Sequence, residues 1–231
     1  MHDLLSPTTG NQNFIDPVHP DIESYLLSLA EQTDHPVLLQ MESYARQNGF
    51  PIVGRLVGIF LEAQARMINA RRIFEFGSGY GYSAYWFARA VGEGGQVICA
   101  DGNPHNQEPA RQYLTDVNLW ERIDFQIGFA QDIFMQTKGD FDICYNDADK
   151  GGYPDIWLMS KSRIRPGGLY IADNVLWHGR VALAPGSFVD VKPGWTEAIR
   201  EHNHMIFNDP EFDAFINPTR DGVIVARRKM A

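Results

Sequence analysis

The chain has 231 residues, of which 44% are hydrophobic and 21% charged, and its formal net charge at pH 7 is −9. This length and composition are those of a globular α/β domain that can bury a substantial core. The acidic charge argues against broad, non-specific binding to nucleic acids or anionic membranes, because both depend on clustered lysine and arginine side chains.

The cysteines and the N-terminus predict a cytoplasmic protein. Cys99 and Cys144 each lie in an apolar run that reads as a strand, which is typical of buried, reduced thiols. Residues 1–20 lack the basic region and apolar core of a secretion signal. No run approaches the roughly 18 apolar residues that a membrane span needs. We therefore expect neither a membrane nor a nucleic acid as a partner.

The first 70 residues predict an irregular segment followed by three helices. Residues 1–20 are rich in proline, asparagine, threonine and aspartate, a composition typical of irregular structure. Between residues 21 and 70, apolar side chains recur every three or four positions, and Pro36 and Gly49 mark the start and end of the second helix. We expect this helical cap to cover a cleft or to pair with another subunit, and its apolar helices favour a homodimer.

Strands and helices alternate after residue 71, the pattern of a parallel sheet with helices on both faces. The predicted strands are residues 72–76, 96–100, 122–127, 141–145 and 169–172. The predicted helices are residues 82–91, 107–119, 130–137, 153–164 and 195–207.

The end of the chain changes character and predicts a hairpin. Two further strand-like runs, residues 212–217 and 222–226, have a short separator between them. The sheet is therefore predicted to end with an antiparallel strand. The expected fold is a Rossmann-like α/β domain with a seven-stranded, mostly parallel sheet. We expect residues 21–231 to form one domain, with 21–70 as its helical cap and 71–231 as its core.

Two polar clusters follow predicted strands at their carboxyl ends. Residues 146–150 (Asn-Asp-Ala-Asp-Lys) follow the fourth strand, and Asp173-Asn174 follow the fifth. Their spacing fits one strand–helix–strand unit, so the two clusters should meet at the carboxyl edge, where open α/β sheets bind ligands. Carboxylate and carboxamide oxygens suit a hard divalent cation. The pattern therefore predicts a cation site at this edge.

A glycine-rich turn follows the first predicted strand and opens a helix. Residues 75–83 (Glu-Phe-Gly-Ser-Gly-Tyr-Gly-Tyr-Ser) allow a tight turn and a close approach of a ligand, although a purely structural turn is the alternative. The dinucleotide fingerprint would need a glycine at Tyr82. Asp101, at the end of the second strand, can accept both hydroxyls of a ribose. A nucleoside cofactor without a pyrophosphate, such as S-adenosylmethionine, therefore fits better than NAD, with its amino-acid end near Ser83.

With these motifs in view, the chain resembles the class I S-adenosylmethionine-dependent methyltransferases. Within them it is similar to the cation-dependent catechol and caffeoyl-CoA O-methyltransferase family, from about residue 40 to residue 228. The motifs that carry the resemblance are 74–77 (Phe-Glu-Phe-Gly), 81–83 (Gly-Tyr-Ser), Asp101, 147–150 (Asp-Ala-Asp-Lys), 173–177 (Asp-Asn-Val-Leu-Trp), Gly179, Val181 and Asp221-Gly222.

The resemblance implies a role for each matching residue. Asp147, Asp173 and Asn174 would ligate a divalent metal, most often magnesium, with calcium and manganese as alternatives. Lys150 matches the lysine that takes the proton from the attacking hydroxyl, with Asp147 beside it in the catalytic group. Trp177 would lie near the acceptor ring. The positions implied in cofactor binding are Glu75, Gly77, Ser78, Ser83, Asp101, Ala130 and Asp149.

Three stretches depart from the family pattern, and one of them, residues 50–54, lacks the acidic residue often found before Gly54. Gly151-Gly152 replaces a bulkier pair between Lys150 and Tyr153, and residues 184–195 carry little family signal. We expect residues 184–195 to belong to the acceptor pocket.

The leading hypothesis is a cation-dependent O-methyltransferase acting on a small vicinal-dihydroxy aromatic. A non-catalytic S-adenosylmethionine-binding module and a methyltransferase with a non-catechol acceptor are the alternatives. A nucleic-acid methyltransferase is disfavoured by the acidic charge and by the lack of an Asn/Asp-Pro-Pro-aromatic motif after the fourth strand.

Several of these residues also have structural interpretations. Asp147 and Asp149 could cap the next helix, and Lys150 could be a solvated surface lysine. His178 is assigned no role. His202 and His204 lie two apart on a predicted helix, so they should face different sides and not share a metal.

Overall fold

The structure, a computed structural model, describes residues 17–230. Residues 1–16, most of the predicted irregular segment, lie outside the described residues, and Pro20 already begins the first helix. The helices are α1 (Pro20–Leu29), α2 (Pro36–Asn48), α3 (Gly54–Met67), α4 (Tyr82–Val91), α5 (Gln107–Thr115), α6 (Ala130–Gln136), α7 (Tyr153–Lys161) and α8 (Trp195–Phe207). Between residues 17 and 230, no helix is long and apolar enough to cross a membrane.

The predicted seven-stranded, mostly parallel sheet is confirmed. Its strands are β1 (Arg72–Phe76), β2 (Gln96–Asp101), β3 (Ile123–Ile127), β4 (Phe141–Asn146), β5 (Ile164–Ala172), β6 (Phe212–Asn217) and β7 (Val223–Arg228). They lie in the order β3-β2-β1-β4-β5-β7-β6. The first five are parallel, whereas β7 is antiparallel to both of its neighbours.

The C-terminal hairpin places its second strand inside the sheet. β7 pairs with β5, and β6 forms the edge. Burial explains this order, because Val223, Ile224 and Val225 are at most 2% exposed, whereas Phe215 on β6 is 50% exposed. The more apolar strand of the hairpin therefore takes the position that is covered on both sides.

β5 begins earlier than predicted, and α7 ends earlier. The pairing of β4 with β5 shifts between Phe141 and Ile143, which accommodates an irregularity around Gly167 and Gly168. Gly167 has φ +75°, and a Cβ on Gly168 would lie 2.7 Å from the backbone oxygen of Asp142. Glycine is required at both positions, so residues that read as a turn in the sequence form part of a strand.

The alternating side chains of the sheet build a core on each face. The helical cap contributes directly to one of them, because α2 and α3 pack beside α4 and α5 there, while α6, α7 and α8 cover the other face. None of the described side chains of α1 is buried. The hydroxyl of Tyr80 donates to the backbone oxygen of Met41 at 2.9 Å, and the hydroxyl of Tyr82 donates to Glu42 at 2.9 Å. The cap is thereby attached to the glycine-rich turn.

Candidate active site

The glycine-rich turn lies against the loop that follows β4. Gly77, Gly79 and Gly81 all have positive φ, at +85°, +52° and +86°. A Cβ on Gly77 would lie 2.7 Å from the backbone oxygen of Asp147, so only glycine fits at this contact. The amide of Gly77 donates to the backbone oxygen of Ala100 at 2.9 Å. The turn therefore brings together the carboxyl ends of β1, β2 and β4.

Glu75 lies beneath this turn as a fully buried carboxyl group. It accepts hydrogen bonds from the hydroxyl of Ser78, at 2.5 Å, and from the hydroxyl of Ser83. The pKa of Glu75 is raised to about 7, and burial is the largest cause. The charge of Asp147 adds to the increase, whereas the hydroxyls of Ser78 and Ser83 and the thiol of Cys99 oppose it. Three residues predicted to bind the cofactor thus form one hydrogen-bonded group.

The raised pKa of Glu75 predicts a specific pH dependence of stability. Between its usual value of 4.5 and about 7, the folded protein keeps a proton that the unfolded chain has released. The free energy of unfolding should therefore fall as pH rises through this window. Glutamine cannot titrate; its side-chain oxygen can accept one of the two hydroxyl hydrogen bonds, and its NH2 group can donate to the other hydroxyl. From pH 5 to pH 8, the free energy of unfolding of the wild type should fall by about 2–3 kcal/mol more than that of Glu75→Gln.

Urea unfolding of the cofactor-free protein at the two pH values measures this difference. An equal decline in the variant and the wild type would show that Glu75 is ionised throughout the range.

Asp101 lies at the end of β2, where it orders the adjacent loops. Its carboxylate accepts the amides of Gly79 and Asn103, both at 2.8 Å, and the side-chain amide of Asn106 at 2.9 Å. Its backbone oxygen accepts the amide of Gly128 at 2.9 Å. This link joins the end of β2 to the loop before Ala130, the first residue of α6. Asp101 and Ala130, which were both predicted to bind the cofactor, therefore lie at the same sheet edge as the glycine turn.

Asp147 and Asp173 lie at the ends of adjacent strands, as predicted. The amide of Asp147 donates to Phe76 at 2.9 Å and that of Asp173 donates to Asn146 at 3.1 Å. Asp173 is 3% exposed. The pKa of Asp173 is raised to about 7, because burial and, after it, the charge of Asp147 outweigh the opposing charges of Lys150 and Arg220. Both residues therefore follow the carboxyl ends of the paired strands β4 and β5.

Asn174 completes the predicted ligand set. Its backbone is left-handed, with φ +57°, a conformation that asparagine tolerates better than most residues, and its amide donates to Oδ1 of Asp173 at 2.8 Å. Within residues 17–230, no three His, Cys, Asp or Glu side chains group to hold a metal. Because the predicted set has two carboxylates and one carboxamide, its metal binding stays a prediction.

Lys150 is buried in the acidic cluster and is not a solvated surface lysine. It is 7% exposed. Its Nζ donates to Oδ1 of Asp147 at 2.8 Å and to the hydroxyl of Tyr153 at 2.7 Å. Tyr153 in turn donates to the backbone oxygen of Asp173 at 2.9 Å. The predicted base and the predicted ligands thus belong to one hydrogen-bonded cluster.

Asp149 lies apart from this cluster. Its side chain is 84% exposed and lies 3.9 Å from Nζ of Lys192. Although Asp149 stands at the cap position of the short 3₁₀ helix Lys150–Gly152, its side chain makes no capping hydrogen bond there. The helix-cap interpretation of this residue is therefore wrong, and its role in cofactor binding stays a prediction.

Trp177 forms an aromatic wall with Trp195, which ends the stretch 184–195 predicted to belong to the acceptor pocket but was not singled out within it. Trp177 is 7% exposed, and the two ring centroids lie 5.6 Å apart. The indole nitrogen of Trp177 donates to Asp190 at 3.2 Å. A Cβ on Gly151 would lie 3.3 Å from the indole nitrogen of Trp195. Gly151, the first residue of the unusual Gly151-Gly152 pair, therefore makes room for Trp195, and it was the available signal for this contact.

The histidines behave as predicted. His202 is fully buried, with Nε2 3.0 Å from the hydroxyl of Tyr170, whereas His204 is exposed. The amide of His178 donates to Asp221 at 2.5 Å. Because His202 is buried and His204 is exposed, these two side chains face different sides of α8 and are not placed to bind one metal together.

The family described as O-methyltransferase matches residues 24–229. The chain belongs to the O-methyltransferase family. A catechol O-methyltransferase from Niastella koreensis is 31% identical over 71% of this chain and 76% of its own length. Caffeoyl-CoA O-methyltransferase 1 from Eucalyptus globulus is 29% identical over 74% of this chain and 72% of its own.

A solved structure shows the same relationship. The O-methyltransferase from Bacillus cereus in complex with SAH has a TM-score of 0.79 and 26% identity, over 90% of this chain and 97% of that chain. These comparisons confirm the predicted family and show that the protein is an S-adenosylmethionine-dependent O-methyltransferase. They favour the enzyme over the non-catalytic binding module.

Proposed function

We propose that this O-methyltransferase transfers a methyl group from S-adenosylmethionine to one hydroxyl of a small vicinal-dihydroxy aromatic, of the catechol or caffeoyl type, in a reaction that depends on a divalent cation. The observation that carries this proposal is the cluster of Asp147, Asp173 and buried Lys150 beside the glycine turn. A module that only bound S-adenosylmethionine would not need a buried lysine beside two carboxylates.

The acidic cluster fits a hard cation in its chemistry. Asp147, Asp173 and Asn174 offer oxygen donors. A positive ion would stabilise the carboxylate of Asp173, whose pKa is raised first by burial and then by the charge of Asp147. Magnesium is our first choice, with calcium and manganese as alternatives. A bound divalent cation would supply positive charge next to two vicinal oxygens and so favour an ionised hydroxyl.

The residues of the chain would then align the reactants and move one proton. Lys150 would accept the hydroxyl proton at Nζ. The hydroxyl oxygen forms a bond to the methyl carbon while the carbon–sulfur bond breaks, and S-adenosylhomocysteine leaves. Trp177 would form one wall against the acceptor ring. Glu75, Gly77, Ser78, Ser83, Asp101, Ala130 and Asp149 would hold the cofactor.

We further propose a cytoplasmic homodimer that binds neither nucleic acid nor a membrane. The free, buried thiols of Cys99 and Cys144 support a reducing compartment. The exposed apolar side chains of α1, including Ile22 (54%), Tyr25 (62%) and Leu29 (53%), support a subunit contact at the helical cap.

An acceptor panel with and without EDTA tests the main proposal. We expect transfer of a radiolabelled methyl group to catechol, caffeoyl-CoA and a vicinal-dihydroxy flavonoid, and little transfer to resorcinol, whose two hydroxyls are not adjacent. EDTA should remove the activity, and an excess of magnesium should restore it. Equal rates on catechol and resorcinol in the presence of EDTA would contradict both the cation dependence and the acceptor class.

A further inference from the structure

The hydroxyl of Tyr153 lies between the predicted base and the backbone of a predicted ligand. Tyr153 is fully buried. Its hydroxyl oxygen lies 2.9 Å from the backbone oxygen of Asp173 and 3.5 Å from that of Asn146, both of which can only accept, so its proton is assigned to the shorter contact with Asp173. Nζ of Lys150 lies 2.7 Å from the same hydroxyl oxygen. A phenol has one proton to donate. Because that proton is used toward Asp173, the oxygen must face Lys150 as an acceptor.

The position of Nζ is consequently defined by two acceptors. In the described part of the chain, Oδ1 of Asp147 lies 2.8 Å from Nζ, and the hydroxyl of Tyr153 lies 2.7 Å from it. An amine nitrogen is tetrahedral, and one of its directions is already taken by its own Cε. Two N–H groups directed at these acceptors leave one remaining direction, which a substrate hydroxyl can use.

We infer that Tyr153 is a positioning residue that directs Nζ of Lys150 toward the acceptor hydroxyl. The inference rests on the proposed role of Lys150 as the proton acceptor. With Asp147 as its single partner, Nζ could rotate about the Cδ–Cε bond and about the hydrogen bond itself. The second acceptor removes that freedom, so the remaining direction on Nζ is fixed before the substrate binds.

The backbone and the core hold Tyr153 in this position. It is the first residue of α7 and directly follows the 3₁₀ helix Lys150–Gly152, so the two side chains lie one helical turn apart. Its ring packs edge-on against the buried ring of His202, with centroids 5.1 Å apart. The same hydroxyl contacts the end of β5 at Asp173. Tyr153 therefore connects Asp173, directly after β5, with Lys150 in the loop after β4.

Tyr153→Phe tests the inference, and Tyr145→Phe is its matched control. Tyr145 is also a fully buried tyrosine, and among residues 17–230 its hydroxyl has no hydrogen-bond partner. Removing that hydroxyl should leave turnover unchanged. Tyr153→Phe should reduce kcat by about 10-fold to 100-fold, because Nζ loses its alignment. The dissociation constant for S-adenosylmethionine and the magnesium concentration for half-activation should change by less than about 3-fold.

A double-mutant cycle separates positioning from structural damage. In a Lys150→Met background, adding Tyr153→Phe should cause no further loss of kcat, because no amine remains to be positioned. The same fractional loss in both backgrounds, or a large shift in the magnesium requirement, would overturn the inference and show an effect through Asp173. Unchanged kcat in Tyr153→Phe would also overturn it.

The failure of the proposed function has a different signature. Full activity of Lys150→Met itself would show that Lys150 is not the proton acceptor. A strongly reduced Lys150→Met together with a fully active Tyr153→Phe would leave the proposed function intact and reject the positioning role alone.

Discussion

Replacing Asp173 by alanine should remove cation-supported methyl transfer, with a loss of kcat of at least about 100-fold. Asp173 supplies one of the two carboxylates at the strand ends, and it is almost fully buried beside Asp147. Without it, a cation would keep one charged ligand from the protein and lose its fixed position. The glycine turn and Glu75 are built independently of this side chain. We therefore expect the dissociation constant for S-adenosylmethionine to change by less than about 3-fold.

A thermal-unfolding measurement on Asp173→Asn tests the same site without using activity. Asparagine can still accept the hydrogen bond from the amide of Asn174. At pH 8 the wild-type carboxylate is ionised and buried, so in EDTA the neutral variant should be the more stable protein. Magnesium should raise the Tm of the wild type and leave that of Asp173→Asn nearly unchanged. An equal magnesium-induced rise in both proteins would place the cation elsewhere.

An exposed aspartate provides the control for these variants. Asp213 lies on β6, its side chain is 69% exposed, and its nearest described cation is Lys229 at 3.5 Å. Asp213→Ala should retain full activity and the full magnesium-induced increase in Tm. Such a result would show that the loss in Asp173→Ala is specific to the sheet edge.

The sequence was sufficient to predict the sheet and the convergence of the acidic residues. Segments with the apolar spacing of a strand alternate regularly with segments that have the spacing of a helix. In such folds consecutive parallel strands are often neighbours, which places the ends of β4 and β5 side by side. Asp147 and Asp173 come directly after those strands, so their proximity follows from local patterns and topology. The glycine spacing likewise located the turn that contacts Asp147.

The contacts that were not predicted depend on long-range packing. β7 lies between β5 and β6 because it is the more apolar strand of the hairpin. The spacing of apolar residues within each strand does not show which of the two will pair with β5. Trp195 reaches Gly151 across a loop of irregular sequence. The burial of Lys150 and its hydrogen bond to Tyr153 also depend on how the 3₁₀ helix Lys150–Gly152 packs against α8. These contacts complete the candidate site.

Lys150→Met should reduce kcat by about 100-fold to 10,000-fold, the range associated with loss of a general base. Methionine has a similar length and fills the same buried space without an amine. The variant should bind S-adenosylmethionine as the wild type does, because the cofactor-binding residues around Glu75 and Asp101 do not contact Nζ in the described hydrogen bonds. Single-turnover transfer of a radiolabelled methyl group to catechol measures the chemical step directly.

Arginine at the same position separates proton transfer from charge. Lys150→Arg keeps a positive group near Asp147, but a guanidinium stays protonated and cannot accept a proton at any pH used for assay. If Lys150 is the proton acceptor, Lys150→Arg should be as inactive as Lys150→Met, whereas Lys138→Met, a change at an exposed residue, should be fully active. Substantial activity in Lys150→Arg would mean that positive charge beside the acidic cluster is what the reaction requires. The proton would then leave by another route, and the positioning role of Tyr153 would fail with it.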